Sequence, residues 1–121
     1  MPRFDADPVF HALLDSADGI GEEGSSQVVL EGCVRTEQSY DENTAVLRTR
    51  LFDAHGGAVE ITDFAPRFLR HGRAFRPMLL VRRVRPIHGS PRIRLIVRPR
   101  ADWGGTTLAR TRGSNHIRFI G

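Results

Sequence analysis

From Gln27 onward the chain is divided into short runs by turn-forming residues, and within several runs polarity alternates every second residue. A period of two is the signature of a β-strand, because successive side chains leave an extended backbone on opposite faces. Leu47, Thr49 and Leu51 alternate with Arg48, Arg50 and Phe52. Asp53-Ala54-His55-Gly56-Gly57 then supplies a glycine-bearing hairpin loop, and Ala58–Phe64 returns as the partner strand. Upstream, Gln27–Cys33 and Val34–Tyr40 read as strands that are either separated at Gly32 or continuous through it. Asp41-Glu42-Asn43 forms the next turn. Pro66–Pro77 reads as irregular and basic. Met78–Ile87 is a long strand, turned by His88-Gly89-Ser90-Pro91 into Arg92–Arg98, where Ile93, Leu95 and Val97 share a face. Asp102-Trp103-Gly104-Gly105 is a further turn. Thr106–Arg110 and His116–Ile120 form a last hairpin around Arg112-Gly113-Ser114-Asn115.

One helix precedes these strands. Asp7 caps it, Pro8 suits its first position, and Phe10, Leu13 and Leu14 fall on one face. Ser16–Ser26, rich in Gly, Ser and acid, is a loop. Strands without intervening helices exclude a βαβ fold. The expectation is an all-β chain, an antiparallel β-sandwich of hairpins with one short N-terminal helix, forming a single domain over residues 1–121. The length of 121 residues suffices for a core. No apolar run reaches the roughly 20 residues that span a bilayer, and the acidic N-terminus lacks the pattern of a secretion signal. Cys33 is the only cysteine, which excludes an intrachain disulfide and points to a reducing, cytoplasmic setting. The apolar strand His116–Ile120 runs into the C-terminus. Open apolar edges invite association, so the expectation is a cut chain or an edge covered by another molecule.

Charge divides the chain at Pro66. Met1–Pro66 holds 13 acidic residues and 4 Arg, a net of −9, whereas Arg67–Gly121 holds 14 Arg and one acid, a net of +13. All 18 basic residues are Arg, the cation suited to bidentate pairing with carboxylates. Either the basic half grips an anion or the halves pack together and neutralise each other. Period two places Arg83 and Arg85 on one face and Arg82 on the other, and Arg92, Arg94 and Arg98 on a common face, giving a basic sheet surface. Nucleic-acid binders add aromatic platforms for bases, and these strands carry aliphatics instead. A salt-bridged face is favoured, with Glu31, Glu37 and Glu60, or a domain outside the chain, as acidic partner.

Catalytic patterns fail on context. Gly19-Ile20-Gly21-Glu22-Glu23-Gly24 has dinucleotide-loop spacing but follows a helix and precedes a strand, and its two Glu repel phosphate. His11, His55, His71, His88 and His116 lie at no metal-ligand spacing, so neither metal nor cofactor is expected. Cys33 reads as a small core residue. A glycosidase needs two facing carboxylates. Glu60 and Asp63, three residues apart on one strand, point to opposite faces, and Asp63 is expected to pair with an Arg or cap a turn.

Three stretches in order resemble the N-terminal β-sandwich domain of bacterial glycoside hydrolase family 15, the glucoamylase- and trehalase-like enzymes. The first is Pro2-Arg3-Phe4-Asp5-Ala6-Asp7-Pro8-Val9-Phe10 with Leu13-Leu14-Asp15. The second runs from Tyr40 through Asn43-Thr44-Ala45-Val46-Leu47-Arg48-Thr49 to Gly56-Gly57-Ala58-Val59-Glu60-Ile61-Thr62-Asp63-Phe64-Ala65-Pro66. The third runs from Leu80-Val81-Arg82-Arg83 through Val97-Arg98-Pro99 to Asp102-Trp103-Gly104. The resemblance implies a non-catalytic domain supporting an α-glucoside-hydrolysing α/α-barrel, whose two catalytic Glu lie in that barrel and not in this chain. The family's upstream Gly-Ser-Ile-Asp-Trp-like strand is also missing, so the domain is expected to be incomplete. Arg3, Phe4 and Asp5 are implied near the substrate pocket or the domain interface, or they serve local folding as an Arg–Asp pair with Phe4 beneath the helix. The partner expected is the barrel. The rival expectations are a stand-alone β domain that associates with itself or a partner through an open edge strand, and an Arg-rich nucleic-acid module.

Overall fold

The computed structural model describes Phe10 and residues 24–121. The helix expected over Asp7–Asp15 lies outside the described residues, Phe10 apart. The described chain is all-β. Its strands are β1 (Ser25–Leu30), β2 (Cys33–Tyr40), β3 (Leu47–Asp53), β4 (Ala58–Phe64), β5 (Phe68–Arg70), β6 (Arg73–Phe75), β7 (Val81–His88), β8 (Ile93–Arg98), β9 (Arg100–Ala101), β10 (Thr106–Thr107), β11 (Ala109–Arg112) and β12 (Ile117–Ile120). A short turn of helix, Asp102–Gly104, separates β9 from β10. No helix among the described residues is long and apolar enough to cross a membrane.

The chain divides into two compact units, Val29–Arg94 on the one hand and Met1–Val28 with Leu95–Gly121 on the other. The first is built on a four-stranded sheet in the order β2-β3-β4-β7, with antiparallel pairing throughout. Register fixes its two faces. Thr36, Leu51, Val59 and Pro86 lie opposite one another across the sheet, as do Gln38, Thr49, Ile61 and Val84. This face holds the buried Leu51, Val59 and Ile61. Side chains of that size, fully buried, contribute roughly 1.5–3 kcal/mol each. The other face carries Glu37, Arg50, Glu60 and Arg85 in one row across the four strands. Ala58–Thr62 of β4, a central strand between β3 and β7, is buried on both faces, the Glu60 face beneath arginine side chains of those two neighbours. β2, at the end of the sheet, is exposed along its whole length.

The expected β3–β4 hairpin forms around its glycine loop. Asp53 Oδ1 accepts backbone hydrogen bonds from His55 (2.8 Å) and Gly57 (2.7 Å). The break between β1 and β2 falls at Gly32, whose φ of 67° only glycine adopts readily. Asp41-Glu42-Asn43 turns as expected, with Thr44 N–H donating to the Asp41 carbonyl at 3.1 Å.

Three expectations are corrected. The segment 66–77, read as irregular, contains the β5–β6 hairpin. His71 (φ 50°) and Gly72 (φ 72°) form a two-residue turn with both residues left-handed, the conformation that matches strand twist. The Phe68 and Phe75 rings meet across it at 5.2 Å between centroids. β8 pairs with β1 rather than returning along β7. His88 Nδ1 is held to the Gly56 carbonyl at 2.7 Å, so the chain leaves β7 beside the β3–β4 loop instead of doubling back. Pro86, lacking an N–H, further weakens β7 as a hairpin partner. The Arg of β7 and β8 therefore lie on separate ribbons. Cys33 is exposed rather than in the core, because it begins the edge strand beside a register shift between Cys33 and Arg35.

In the second unit β11 and β12 form the expected final hairpin, closed by Gly113 N–H donating to the His116 carbonyl at 2.9 Å. β9 and β10 pair across the Asp102-Trp103-Gly104 turn, where Thr106 Oγ1 donates to Asp102 Oδ2 at 2.6 Å. Ile117 and Ile120 of β12 are exposed.

The Asp53 clasp yields a prediction. A Cβ at Gly57 would lie 2.1 Å from Asp53 Oδ2. Gly57→Ala is expected to lower stability by about 1–2 kcal/mol in urea unfolding. Added to Asp53→Ala, which has already opened the clasp, it is expected to cost measurably less. Equal costs in the two backgrounds would exclude the clash.

Candidate functional site

Period two places Glu60 on the charged face of β4, opposite Arg50 of β3 and Arg85 of β7. Its side chain is only 2% exposed. Three guanidiniums cover it. Arg85 Nη2 donates to Oε1 at 2.8 Å, Arg50 Nε to Oε2 at 3.2 Å, and Arg48 Nη1 to Oε1 at 3.3 Å. Burial pushes the Glu60 carboxyl up, but hydrogen bonds from Arg50 and Arg85 and the charges of Arg85 and Arg48 outweigh it and hold it below its ordinary 4.5.

Arg48 extends the cluster. Its Nε and Nη2 donate to the two Asp41 carboxylate oxygens at 2.5 and 2.9 Å. This fork holds the Asp41 carboxyl below its ordinary range and raises the Arg48 guanidinium. Glu37 accepts from Arg35 on the same strand, and the Arg35 guanidinium lies 3.9 Å from the Phe52 ring centroid. On the opposite face Asp63 takes a fork from Arg82, 2.7 Å from Nε and 3.0 Å from Nη2, and this hydrogen bonding raises the Arg82 guanidinium. The expectation that Glu60 and Asp63 face opposite ways, and that Asp63 pairs with an Arg, holds.

The acidic half and the basic half thus meet at the β4–β7 seam. Glu60 and Asp63 come from before Pro66, and Arg85 and Arg82 from after it. Of the three acids expected to neutralise the Arg face, Glu60 meets Arg85 of β7, Glu37 accepts from Arg35 of its own strand instead, and Glu31 donates its backbone N–H to the Arg92 carbonyl at 3.0 Å. Sequence reading did not single out Arg48, Arg50 and Asp41. The signal was present in the alternation of Leu47–Phe52, which puts both Arg on the face of Glu60 once the hairpin register is fixed by the loop.

A second feature adjoins Asp63. Tyr40, Asn43, Thr44, Val46, Leu47, Phe64, Pro66 and Leu80 border a groove of about 700 Å³ at the end of the four-stranded sheet. Tyr40 and Leu80 are largely exposed beside it. These positions belong to the second and third stretches singled out in the sequence, drawn together from three separate segments. Arg3, Phe4 and Asp5 lie outside the described residues. Among the described residues no group of three or more His, Cys, Asp or Glu could hold a metal ion. Chemically, the cluster sets three guanidiniums around two carboxylates, and the groove is a largely apolar concavity that also presents Arg67 and an Asp63 already forked to Arg82.

No protein family, curated protein or solved structure matches the chain.

The sign of the Glu60 and Asp41 shifts gives a prediction. Both carboxyls titrate below their ordinary range when folded, so the unfolded chain binds more protons in acid. Stability is expected to be constant above about pH 5.5 and to fall as pH drops through 4.5 and below. Glu60→Gln leaves three guanidiniums around a neutral amide and is expected to cost about 2 kcal/mol at pH 7. It is also expected to flatten the acid limb of a thermal-melt series. A variant with wild-type slope and stability would show that Glu60 holds nothing together.

Proposed function

We propose that this chain is a non-catalytic β domain of a glucoamylase- or trehalase-like glycoside hydrolase, supporting an α-glucoside-hydrolysing α/α-barrel that the chain does not contain. The observation that carries the reading is the groove at the end of the four-stranded sheet. The residues that bear the family resemblance, Tyr40, Asn43–Leu47, Asp63–Pro66 and Leu80, gather around it. Residues set in order along a chain and brought to one concave surface are what a docking face requires. We assign this groove to the contact with the barrel, and Arg3, Phe4 and Asp5 to the same interface or to the substrate pocket. The domain, on this reading, spans residues 1–121 and works in the cytoplasm.

The carboxylates support a scaffolding role. Glycoside hydrolysis uses one carboxyl held protonated and a second free to attack or to activate water. Glu60 is held ionised beneath three guanidiniums and Asp41 is forked by Arg48. Asp63 is occupied by Arg82. Glu60 and Asp41 are both held in the charged form. The Arg face has its acidic partner within the sheet, which favours this reading over nucleic-acid binding.

Two measurements test the proposal. The purified 121-residue chain is expected to leave maltose-type α-glucosides and trehalose intact, and turnover by it would overturn the non-catalytic assignment. Mass spectrometry of the protein isolated from its native cell is expected to find these peptides within a polypeptide several hundred residues longer. A native product of 13.6 kDa would overturn the supporting role.

A further inference from the structure

β2 is the outer strand of the four-stranded sheet, and among the described residues no strand pairs with its free edge. It runs eight residues and is exposed throughout, with Tyr40 at 68%. Long open edges are usually blunted, by charge, proline or a bulge, because their unpaired N–H and C=O groups recruit another strand. β2 contains no proline, and its register shift lies only at the Cys33–Arg35 end. From Arg35 to Tyr40 the pairing with β3 is regular.

Hydrogen-bond parity shows which groups are unpaired. Asp41 N–H donates to the Val46 carbonyl at 2.9 Å, so the backbone of Asp41 faces β3. Antiparallel pairing alternates. Ser39, Glu37 and Arg35 therefore also face β3, and Tyr40, Gln38 and Thr36 direct their N–H and C=O groups outward.

Charge then limits how a second copy of β2 could pair across a two-fold axis. An axis at Arg35 or at Glu37 sets that residue against itself, like charge against like. An axis at Ser39 sets Glu37 against Asp41. An axis at Thr36 runs the ladder into the register shift. An axis at Gln38 avoids all four faults. It sets Arg35 against Asp41, Thr36 against Tyr40 and Glu37 against Ser39. The opposed groups are an ion pair, an aromatic–β-branched pair and a neutral contact, and all lie within the regular stretch. Beside their contacts with Glu37 and Arg48, the Arg35 and Asp41 side chains keep 59% and 34% of their surface accessible.

We propose that the chain self-associates through β2, two copies pairing antiparallel about a two-fold axis at Gln38 to give a continuous eight-stranded sheet. Thr36, Gln38 and Tyr40 of each copy exchange backbone hydrogen bonds with Tyr40, Gln38 and Thr36 of the other. An interface of one strand per side is small, so the dimer is reversible on dilution. The inference rests on the backbone edge of β2 and not on the proposed role beside a barrel; Tyr40 is the residue of β2 that also borders the groove.

Sedimentation velocity over a concentration series tests it. The wild type is expected to pass from monomer to dimer as concentration rises. Gln38→Pro removes an outward N–H that makes no bond within the sheet, a position where an edge strand tolerates proline. Its circular dichroism is expected to match wild type while dimerisation weakens at least tenfold. Arg35→Glu, which sets like charges opposite, is expected to weaken dimerisation similarly at low salt. For register, Gln38→Cys in a Cys33→Ser background is expected to form a disulfide-linked dimer on mild oxidation, and Thr36→Cys in that background is not. A wild type that stays monomeric at the highest concentration, or a folded Gln38→Pro that dimerises like wild type, would overturn the interface. Cross-linking at position 36 in place of 38 would overturn the register.

Discussion

The buried carboxylate of Glu60 is the constraint around which the rest of the sheet is arranged. An ionised group with 2% of its side chain exposed persists only if cations replace the water it has lost. Three guanidiniums do so, two from β3 and one from β7. The requirement reaches across the chain. Arg85 must come to β4 from beyond the change of sign at Pro66, so β7 pairs with β4 although β5 and β6 intervene. Asp63 and Arg82 repeat the tie on the other face. The two halves of opposite charge are therefore tied at two points within one sheet, Glu60 to Arg85 and Asp63 to Arg82.

The parts of this arrangement that were legible in the sequence are those governed by local geometry. The alternation of Leu47–Phe52, the loop Asp53–Gly57 and the return of Ala58–Phe64 together fix a hairpin, and with it the opposite facing of Glu60 and Asp63. The final hairpin around Gly113 was legible for the same reason. What escaped were pairings that depend on distant segments. Nothing in Arg92–Arg98 says that its partner is β1, a strand far away in the sequence. The exposure of Cys33 was hidden because a strand's place at the edge or the centre of a sheet is a property of the whole topology. The β5–β6 hairpin is a different case. Arg70-His71-Gly72-Arg73 carries a two-residue turn signal, and the prolines on either side, Pro66 and Pro77, obscured it.

Function follows from what the ion pairs leave over. Glu60 and Asp41 are held in the charged form by arginines, and Arg85 and Arg82 are matched by acids of the same sheet. Two surfaces remain uncommitted in the larger unit: the groove bordered by Tyr40, Leu47, Asp63 and Leu80, and the outward edge of β2. One is concave and assembled from separated segments, as a domain contact is. The other is a row of unpaired backbone groups whose flanking charges favour one antiparallel register.

The central claim is that Glu60 and Arg85 join the two halves, and a double-mutant cycle between Glu60→Gln and Arg85→Gln measures it directly. Arg85 is half-exposed, so the expected coupling is modest, about 1 kcal/mol in urea unfolding at pH 7, and it should survive in high salt because Glu60 itself is shielded from solvent. Strict additivity of the two substitutions, at low salt and high, would contradict the account.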